Sequence, residues 1–600
     1  MAENHQPGDE KKPLDVEKGF NEQVVFTQTK GDEPEVLVRT PASEFIGLSK
    51  EELERYRDDP FWKKLRLILF ILFWVAWIVM FVAAIVIVAI SPKCPPKIIP
   101  HWWQSKLSYQ IWTSSFKDSN GDGTGDLNGI KDKLDSLKKV GIQTVWPVQL
   151  LKSAAFTGYE VSDFNEVDSR IGTNEDLKDL IDAAHAKIPK IFVIMDFPTT
   201  TSTDHEWFKS ATTKENYYYW GSGDSQYYDL SGYFHVKGNA KAPVLNWGNE
   251  NLRKEMADVL KHWLGQGIDG FYVGHVEYMS GKPPGQTEWE KVNEYLKSLS
   301  DARYEFLNET KDHDRQLLLF TALEQKPADE QVVINLAAEG GLNYVINDDL
   351  SVDLDASHLN NMASTIQQKV EAKLQFHQQN NETWPMWELS NPYSTRIATK
   401  LGSRTVGELM NFVLLMLPGS VNIYYGEEIL MEDANATTGQ YPQRSAMQWD
   451  VDEKNHGFST ASADKIYPAI NNHSSVNFEQ QYRNAGTPLK MFRRLAKLRQ
   501  TDDTFLNGNI TFGPSNETLL TFGRYSATPG GVTYVGAANF GPAEVSIDFT
   551  STLPGISAEA TGQVLTATSN AADTYVTRAD IENLKKVTLK AYQGLAIKIG

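Results

Sequence analysis

The stretch GQGIDGFYVGHVEYM, residues 265–279, contains a helix end, a strand and the residues that follow the strand. Within it, IDGFYV has the composition of a buried strand, and the amphipathic stretch Leu252 to Leu264 before it predicts a helix. The strand is expected to end near Gly274 and His275. Barrel enzymes keep their catalytic groups at this end of their strands. At these two positions the side chains are a hydrogen atom and an imidazole, and neither is a carboxylate. The stretch therefore raises the question of whether a catalytic activity has been lost.

Seven further strand-like runs surround this one. They are SYQIWTSSF, TVWPVQ and IFVIMDF before it, and LLLFTAL, YVIN, MWEL and VNIYYG after it. Their alternation with helical stretches predicts an α/β fold, an eight-stranded (β/α)8 TIM barrel over residues 105–503. From about Leu506, short alternating strands are separated by Gly, Asn and Pro turns, which predicts an antiparallel β-sandwich domain over residues 504–600.

One apolar stretch predicts a membrane crossing. Residues 67–90 carry no charge, and at a rise of 1.5 Å per residue they reach about 36 Å, enough for a hydrocarbon core of roughly 30 Å. Lys63, Lys64 and Arg66 stand before the stretch, against Lys93 and Lys97 beyond it. The positive-inside rule then predicts a single-pass type II protein with a cytoplasmic N-terminus and an exterior C-terminus.

The segments on either side of this helix differ in character. Residues 1–66 form the predicted cytoplasmic tail, which mixes charges with Pro and Gly and contains one short helix in LSKEELERYR. Residues 91–104 form a Pro-rich extracellular neck. We expect its Trp102 and Trp103 to lie near lipid headgroups, where the amphipathic indole ring is favoured.

Composition excludes some functions and leaves others open. A net charge of -19 and a pI near 5.2 argue against a nucleic-acid partner, because phosphate binding needs a surplus of Lys and Arg. The only cysteine, Cys94, cannot form an internal disulfide, which leaves a buried or free thiol or a bond to another chain. On the oxidising side of a membrane, pairing with another chain is favoured.

Six Asn-x-Ser/Thr sequons follow the helix and are candidates for glycosylation on an exterior domain. They are Asn308, Asn381, Asn435, Asn472, Asn509 and Asn516.

Several blocks resemble the oligo-1,6-glucosidase and maltase branch of the α-amylase superfamily, over nearly all of residues 105–600. The blocks are QIWTSSFKDSNGDGTGDLNGIKDKLDSL, RIGTNEDLKDLI, VLNW, LPGSVNIYYGEE and MQWD, in the family's order. The resemblance implies a barrel with a C-terminal β domain. It also implies a retaining mechanism, which requires a carboxylate nucleophile and a carboxylic acid about 5 Å apart. The segment 204–242 is shorter than the lid inserted in that branch.

The resemblance also shows where the family's active site is degenerate. Gly274 stands at the nucleophile position of the G-F-R-x-D block, and Tyr272 replaces its arginine. Tyr393 stands where the family has its transition-state aspartate. Glu324 falls at the proton-donor position and Asp196 is retained at the end of the third strand. A glycine cannot form a glycosyl ester, so we expect no glycosidase activity.

Other residues of the same stretch are candidate replacements for the missing catalytic groups. A nucleophile relocated to Glu277 or Asp269 would leave a membrane-anchored α-glucosidase or maltase. His275 is interpreted as a core or rim histidine rather than a replacement base.

The loop DSNGDGTGD resembles the calcium loop of the same branch. Asp118, Asn120, Asp122 and Asp126 present oxygens at alternating spacing, with a backbone carbonyl expected from Thr124. The resemblance implies one structural Ca²⁺ that holds the first barrel loop, without a catalytic cofactor. The alternative is a tight Asx/Gly turn without an ion.

The N-terminal region resembles the heavy subunits of heteromeric amino-acid transporters, of the 4F2 cell-surface antigen type. FIGLSKEELERY, FWKKLRLILFILFWVAWIVM and SPKC match in order and spacing between Phe45 and Cys94. The resemblance implies a non-catalytic subunit at the plasma membrane, joined through Cys94 and the transmembrane helix to a polytopic light-chain exchanger. An adhesion or receptor ectodomain is the remaining alternative.

Overall fold

A computed structural model describes residues 50–90, 99–155, 158–210, 216–435, 441–471 and 475–600. The chain divides into two compact units, Met1–Lys97 and Ile98–Gly600. In the first unit the described residues form two helices. The first, Lys50–Arg57, is the short helix expected in LSKEELERYR.

The second helix, Pro60–Ile90, is the one candidate membrane span among the described residues, by length and composition. None of its residues is buried. The helix begins seven residues before the predicted boundary at 67, because Asp59 accepts a hydrogen bond from the backbone N–H of Phe61 (2.7 Å) and Pro60 is tolerated in a first helical turn. The basic residues Lys63, Lys64 and Arg66 therefore lie on the helix rather than before it.

The second unit contains the predicted barrel, and all eight expected strands are present. Their bounds, in chain order, are Ser108–Trp112, Thr144–Val148, Phe192–Phe197, Gly270–Val273, Leu318–Thr321, Tyr344–Val345, Met386–Trp387 and Ser420–Tyr424. All paired neighbours are parallel, in the sheet order 6-5-4-3-2-1-8-7. A parallel bridge between Asn347 and Trp387 joins the two ends of the sheet.

One main helix follows each strand, as the alternating pattern predicts. These helices are Leu127–Val140, Asn174–His185, Glu250–Gln266, Trp289–Thr310, Gln331–Ala338, Met362–Gln379, Arg404–Met416 and Pro488–Thr501. Local signals fix their ends: Asn249 accepts from the N–H groups of Asn251 and Leu252 at the start of the third helix, and Gly267 terminates it with a φ of 110°. The first helix is capped by Asp126.

The expectation that Trp102 and Trp103 lie near lipid headgroups is wrong for the described structure. Both are buried in the core of the second unit. Trp102 stacks on Phe192 with ring centroids 4.2 Å apart, and its indole N–H donates to the carbonyl of Gln316 (2.9 Å). These partners lie where the third and fifth strands begin, so the two tryptophans close the bottom of the barrel and the barrel begins before residue 105.

The C-terminal domain is antiparallel, as predicted. Its six-stranded sheet consists of Asn509–Phe512, Leu519–Tyr525, Tyr534–Asn539, Gly594–Ile599, Gly562–Ala567 and Asp580–Ile581, in spatial order. A two-stranded ribbon of Val545–Ile547 and Val587–Leu589 packs on it through a shared apolar core. This domain and the barrel form one compact unit. Arg524, which is fully buried, donates to the carbonyls of Met416 (2.6 Å) and Thr504 (2.9 Å) between them.

The shortened lid segment 204–242 folds against the barrel mouth. Its described part contains the helix Glu206–Lys209 and a small hairpin of His235–Val236 and Asn239–Pro243. Tyr227 and Phe234 pack there with Tyr278, which lies just after the fourth strand. The segment therefore has an apolar cluster of its own rather than an open loop.

Candidate functional site at the barrel mouth

The candidate site lies at the carboxyl ends of the barrel strands and is almost filled by side chains. The cavity has a volume of about 40 Å³. Ligand pockets usually measure about 300–1,000 Å³, and one liquid water takes about 30 Å³. The lining residues are Gln110, Trp146, Val148, Gly158, Tyr159, Asp196, Pro198, Tyr272, Gly274, Ala322, Ile346, Glu388, Asn391 and Tyr393. A glucosyl ring therefore has no room in this arrangement.

Gly274 lies at the mouth, directly after the fourth strand, as the sequence predicts. Its N–H donates to the carbonyl of Phe197 (3.3 Å) and its own carbonyl accepts from Thr199 Oγ1 (2.9 Å). A Cβ at this position would lie 3.6 Å from a ring carbon of Tyr272 and 3.9 Å from one of Tyr159. Two aromatic rings thus stand beside the position where the family has its nucleophile.

Tyr393 belongs to the same aromatic cluster. Its ring centroid lies 5.6 Å from that of Tyr159 and 6.4 Å from that of Trp112. The guanidinium of Arg444 lies 3.9 Å from the Trp112 ring centroid and 5.2 Å from that of Tyr393. It also donates to the carbonyl of Pro392 (2.9 Å). The sequence analysis missed Arg444, since only the folded loops bring its segment to the mouth.

Glu324 faces the mouth and is held by hydrogen bonds. Its Oε1 lies 2.5 Å from Nδ1 of His275, and its Oε2 accepts from the hydroxyl of Tyr278 (3.2 Å). Burial opposes ionisation, but the hydrogen bond and charge of His275 prevail and lower the pKa of Glu324. A general acid in a glycosidase needs the opposite shift, because it must hold its proton near neutral pH.

Two further carboxyl groups line the cavity. Asp196 Oδ1 accepts from the indole N–H of Trp146 (2.7 Å), and Glu388 accepts from the amides of Asn391 (2.9 Å) and Asn422 (3.0 Å). Burial raises the pKa of each carboxyl to about 7, against the effect of these hydrogen bonds. Glu388 was not singled out from the sequence, although it directly follows the seventh strand, Met386–Trp387, and the ends of the strands form the mouth. With their amide and indole partners, both groups are suited to hold the strand ends together.

Neither proposed replacement for the nucleophile is well placed. Asp269 lies where the fourth strand begins, away from the mouth, and bonds to His185 (2.7 Å) and Lys190 (2.9 Å). Glu277 is buried, and its Oε1 accepts from the backbone N–H of Glu324. Burial, with the nearby Glu324, raises the pKa of Glu277 to about 7. Near pH 7 a large share of this carboxyl is therefore protonated, which makes it a poor nucleophile.

The predicted calcium loop is held by its own hydrogen bonds. Asp118 accepts from the N–H groups of Asn120, Gly121 and Gly123 and from Ser459 Oγ. These four donors occupy the acceptor positions of one carboxylate. Among the described residues there is no group of three acidic, His or Cys side chains placed to hold a metal.

The other carboxylate and amide side chains of this loop also accept hydrogen bonds from neighbouring groups. Asp126 accepts from Ser119 and from the N–H of Gly129, Asn120 accepts from the N–H of Asp122, and Asp122 accepts from the N–H of Thr124. The side chains as placed do not fit a Ca²⁺ ion. Calcium binding stays a prediction from the sequence, which a calcium-dependent rise in melting temperature would test.

The remaining predicted site residues are the six sequon asparagines and Cys94. Five of the six sequon asparagines, Asn308, Asn381, Asn435, Asn509 and Asn516, are exposed, as attachment of a glycan requires. Asn472 and Cys94 lie outside the described residues. Glycosylation and disulfide formation both stay predictions.

Comparison with known proteins gives two family matches. A family model described as the α-amylase catalytic domain matches residues 110–508, and one described as the N-terminus of solute carrier family 3 member 2 matches residues 33–109. The amino acid transporter heavy chain SLC3A1 of Rattus norvegicus is 28% identical over 524 residues, which cover 78% of this chain and 74% of that protein.

An insect enzyme and a bacterial structure are similar as well. Maltase 1 of Drosophila virilis is 29% identical over 494 residues, which cover 71% of this chain and 76% of the maltase. The crystal structure of trehalulose synthase MutB from Pseudomonas mesoacidophila superposes with a TM-score of 0.68 at 22% identity, covering 84% of this chain and all of the synthase. At that identity the synthase supports the fold alone.

The barrel, its antiparallel C-terminal domain and the mouth geometry define a glycosidase-like protein, and its N-terminal apolar helix is long enough to cross a membrane. The chain belongs to the α-amylase family. Within that family it fits the type of the transporter heavy chains, because the N-terminal match and the SLC3A1 relatives agree.

Proposed function

We propose that this chain is the non-catalytic heavy subunit of a heteromeric amino-acid transporter. In this proposal, Cys94 forms a disulfide with a polytopic light-chain exchanger, and the heavy subunit stabilises that partner and brings it to the plasma membrane. The N-terminal family match, joined to a barrel that resembles the transporter heavy chains along most of its length, carries the proposal.

The barrel mouth supports a role without catalysis. Gly274 supplies no carboxylate, and the cavity beside it has a volume of about 40 Å³. Hydrolysis with retention requires both a nucleophile and space for the sugar ring. The fold then serves as a rigid, stable body rather than as an enzyme.

The membrane helix supports an ancillary role rather than conduction. Its apolar stretch 67–90 contains no ionisable residue and offers no polar path for an amino acid. Basic residues at its start favour a cytoplasmic N-terminus and an exterior barrel. If the heavy subunit binds only the folded partner, mass action raises the fraction of partner that remains folded.

Removal of this chain from its native cells tests the proposal. We expect exchange of radiolabelled amino acids across the plasma membrane to fall, and the wild-type chain to restore it. Glu324→Gln should restore exchange equally, since no catalytic acid is needed. Unchanged exchange after removal would argue against the proposal.

A further inference from the structure

A groove between the last barrel helix and the C-terminal sheet carries a concentration of positive charge. It has a volume of about 420 Å³, within the range of small-molecule pockets. Lys490, Arg493 and Arg494 line the groove from the helix Pro488–Thr501, and Arg483 lines it as well. The chain as a whole has a net charge of -19, so this local excess of cations opposes the average.

The spacing of these side chains places their charges together. Positions 490, 493 and 494 are three and four residues apart, and such positions lie on one face of a helix. Burial lowers the pKa of Lys490, and the positive charges of Arg493 and Arg494 lower it further. The cations on this helix face therefore repel one another. Such repulsion is a cost that a bound anion would remove.

Acidic partners are scarce in the groove. Arg483 pairs with Glu479 (3.5 Å), whereas within the described residues no carboxylate forms an ion pair with Lys490, Arg493 or Arg494. The remaining lining residues that carry polar side chains are Thr487, Thr566, Tyr575 and Thr577. The positive charge of this groove is therefore largely unneutralised by the protein.

Two of the cations are held in place rather than free in solvent. Arg494 donates through Nη1 to the hydroxyls of Thr577 (2.7 Å) and Thr566 (3.2 Å). Arg493 donates through Nε to the carbonyl of Lys139 (2.9 Å). Both guanidinium groups keep further N–H donors, since each has five. Prepositioned donors lose less conformational entropy when a ligand binds.

We propose that this groove binds a small polyanion that carries two or more tetrahedral oxyanion groups, phosphate or sulfate. Guanidinium groups match these oxygens with paired hydrogen bonds. Lys490, whose Nζ lies 4.7 Å from the ring centroid of Tyr482, adds a further positive charge. The recessed shape between a helix and a sheet favours a small ligand over a flat membrane surface. The inference concerns a site remote from the barrel mouth and does not depend on the transporter role.

Calorimetric titration of the full chain in non-ionic detergent tests this site. The probes are sodium pyrophosphate and sucrose octasulfate, at constant ionic strength. The test variant is Lys490→Gln with Arg493→Gln. The matched control is Lys585→Gln with Lys586→Gln, which removes the same charge from two exposed residues of the C-terminal domain. Melting temperatures of both variants establish that they fold.

We expect saturable binding of at least one probe to the wild type, and a preference for one of them distinguishes a phosphate ligand from a sulfate ligand. The groove variant should bind about tenfold more weakly or worse, which corresponds to one lost charge-assisted hydrogen bond. The control should bind like the wild type. Equal weakening in both variants, or no saturable binding of either probe, would overturn the proposal.

Discussion

The imidazole of His275 and the carboxylate of Glu324 are 2.5 Å apart at the barrel mouth. The pair joins the end of the fourth strand to the end of the fifth, so it occupies the place where the family brings its nucleophile and acid together. His275 lowers the pKa of Glu324 although burial acts in the other direction. The residue retained at the proton-donor position is thereby held as a hydrogen-bonded carboxylate.

We predict that the purified chain does not hydrolyse a chromogenic α-glucoside, and that Gly274→Asp does not restore hydrolysis. The added carboxylate would face the rings of Tyr272 and Tyr159, and Glu324 would still lack the raised pKa of a general acid. A maltase assayed in parallel is the positive control. Hydrolysis that disappears in Glu324→Gln would contradict this prediction and revive the glucosidase alternative.

The lowered pKa of Glu324 predicts a small dependence of protein stability on pH in the acid range. The folded pKa of Glu324 is lowered, so its contribution to stability is present above the ordinary glutamate pKa and is lost as the pH falls through the folded value. Glu324→Gln should therefore lower the melting temperature at pH 7 and change it little at pH 3. The side chain is 41% exposed, so the loss should stay within about 1 kcal/mol. A difference that grows on acidification would contradict the assignment.

The buried carboxyl of Glu408 predicts the opposite dependence of stability on pH. It is fully buried in the barrel helix Arg404–Met416, and its carboxyl accepts from the N–H (2.7 Å) and hydroxyl (2.5 Å) of Ser569 in the C-terminal domain. Burial raises its pKa to about 7. The stability supplied by the protonated form is complete below the ordinary glutamate pKa and is lost as the pH rises through about 7.

Glu408→Gln should therefore become more stable relative to the wild type between pH 5 and pH 8. The gain should be on the order of 2–3 kcal/mol at most, the equivalent of two pKa units. Melting temperatures across this range measure it. A constant difference between the two proteins would show that folding leaves the pKa of this carboxyl near its ordinary value.

Replacement of Arg524 is predicted to cause a large loss of stability that does not involve the barrel mouth. Its fully buried guanidinium supplies hydrogen bonds to carbonyls of the barrel and of the segment that leads into the C-terminal domain. Arg524→Met would leave these carbonyls without donors, at about 1–3 kcal/mol each. The melting temperature should fall well below that of Lys585→Met, an exposed control. Equal melting temperatures would contradict this role of Arg524.

The sequence was sufficient for the barrel because each strand is an apolar run buried on both faces, bounded by an amphipathic helix. It misplaced Trp102 and Trp103, since tryptophan suits a lipid interface and a protein core equally well by composition. The pairing of His275 with Glu324 could not be predicted. The two residues are 49 positions apart, and their contact depends on a left-handed backbone at His275 (φ 55°).

The most direct test of the proposed role is the composition of the native complex. The full chain is purified from its own membrane in mild detergent, run with and without reductant, and any released protein is identified by mass spectrometry. We expect reductant to release a polytopic transporter, and the Cys94→Ser chain to yield no such disulfide-linked band. A chain that migrates alone in both conditions would contradict the disulfide-linked heavy subunit.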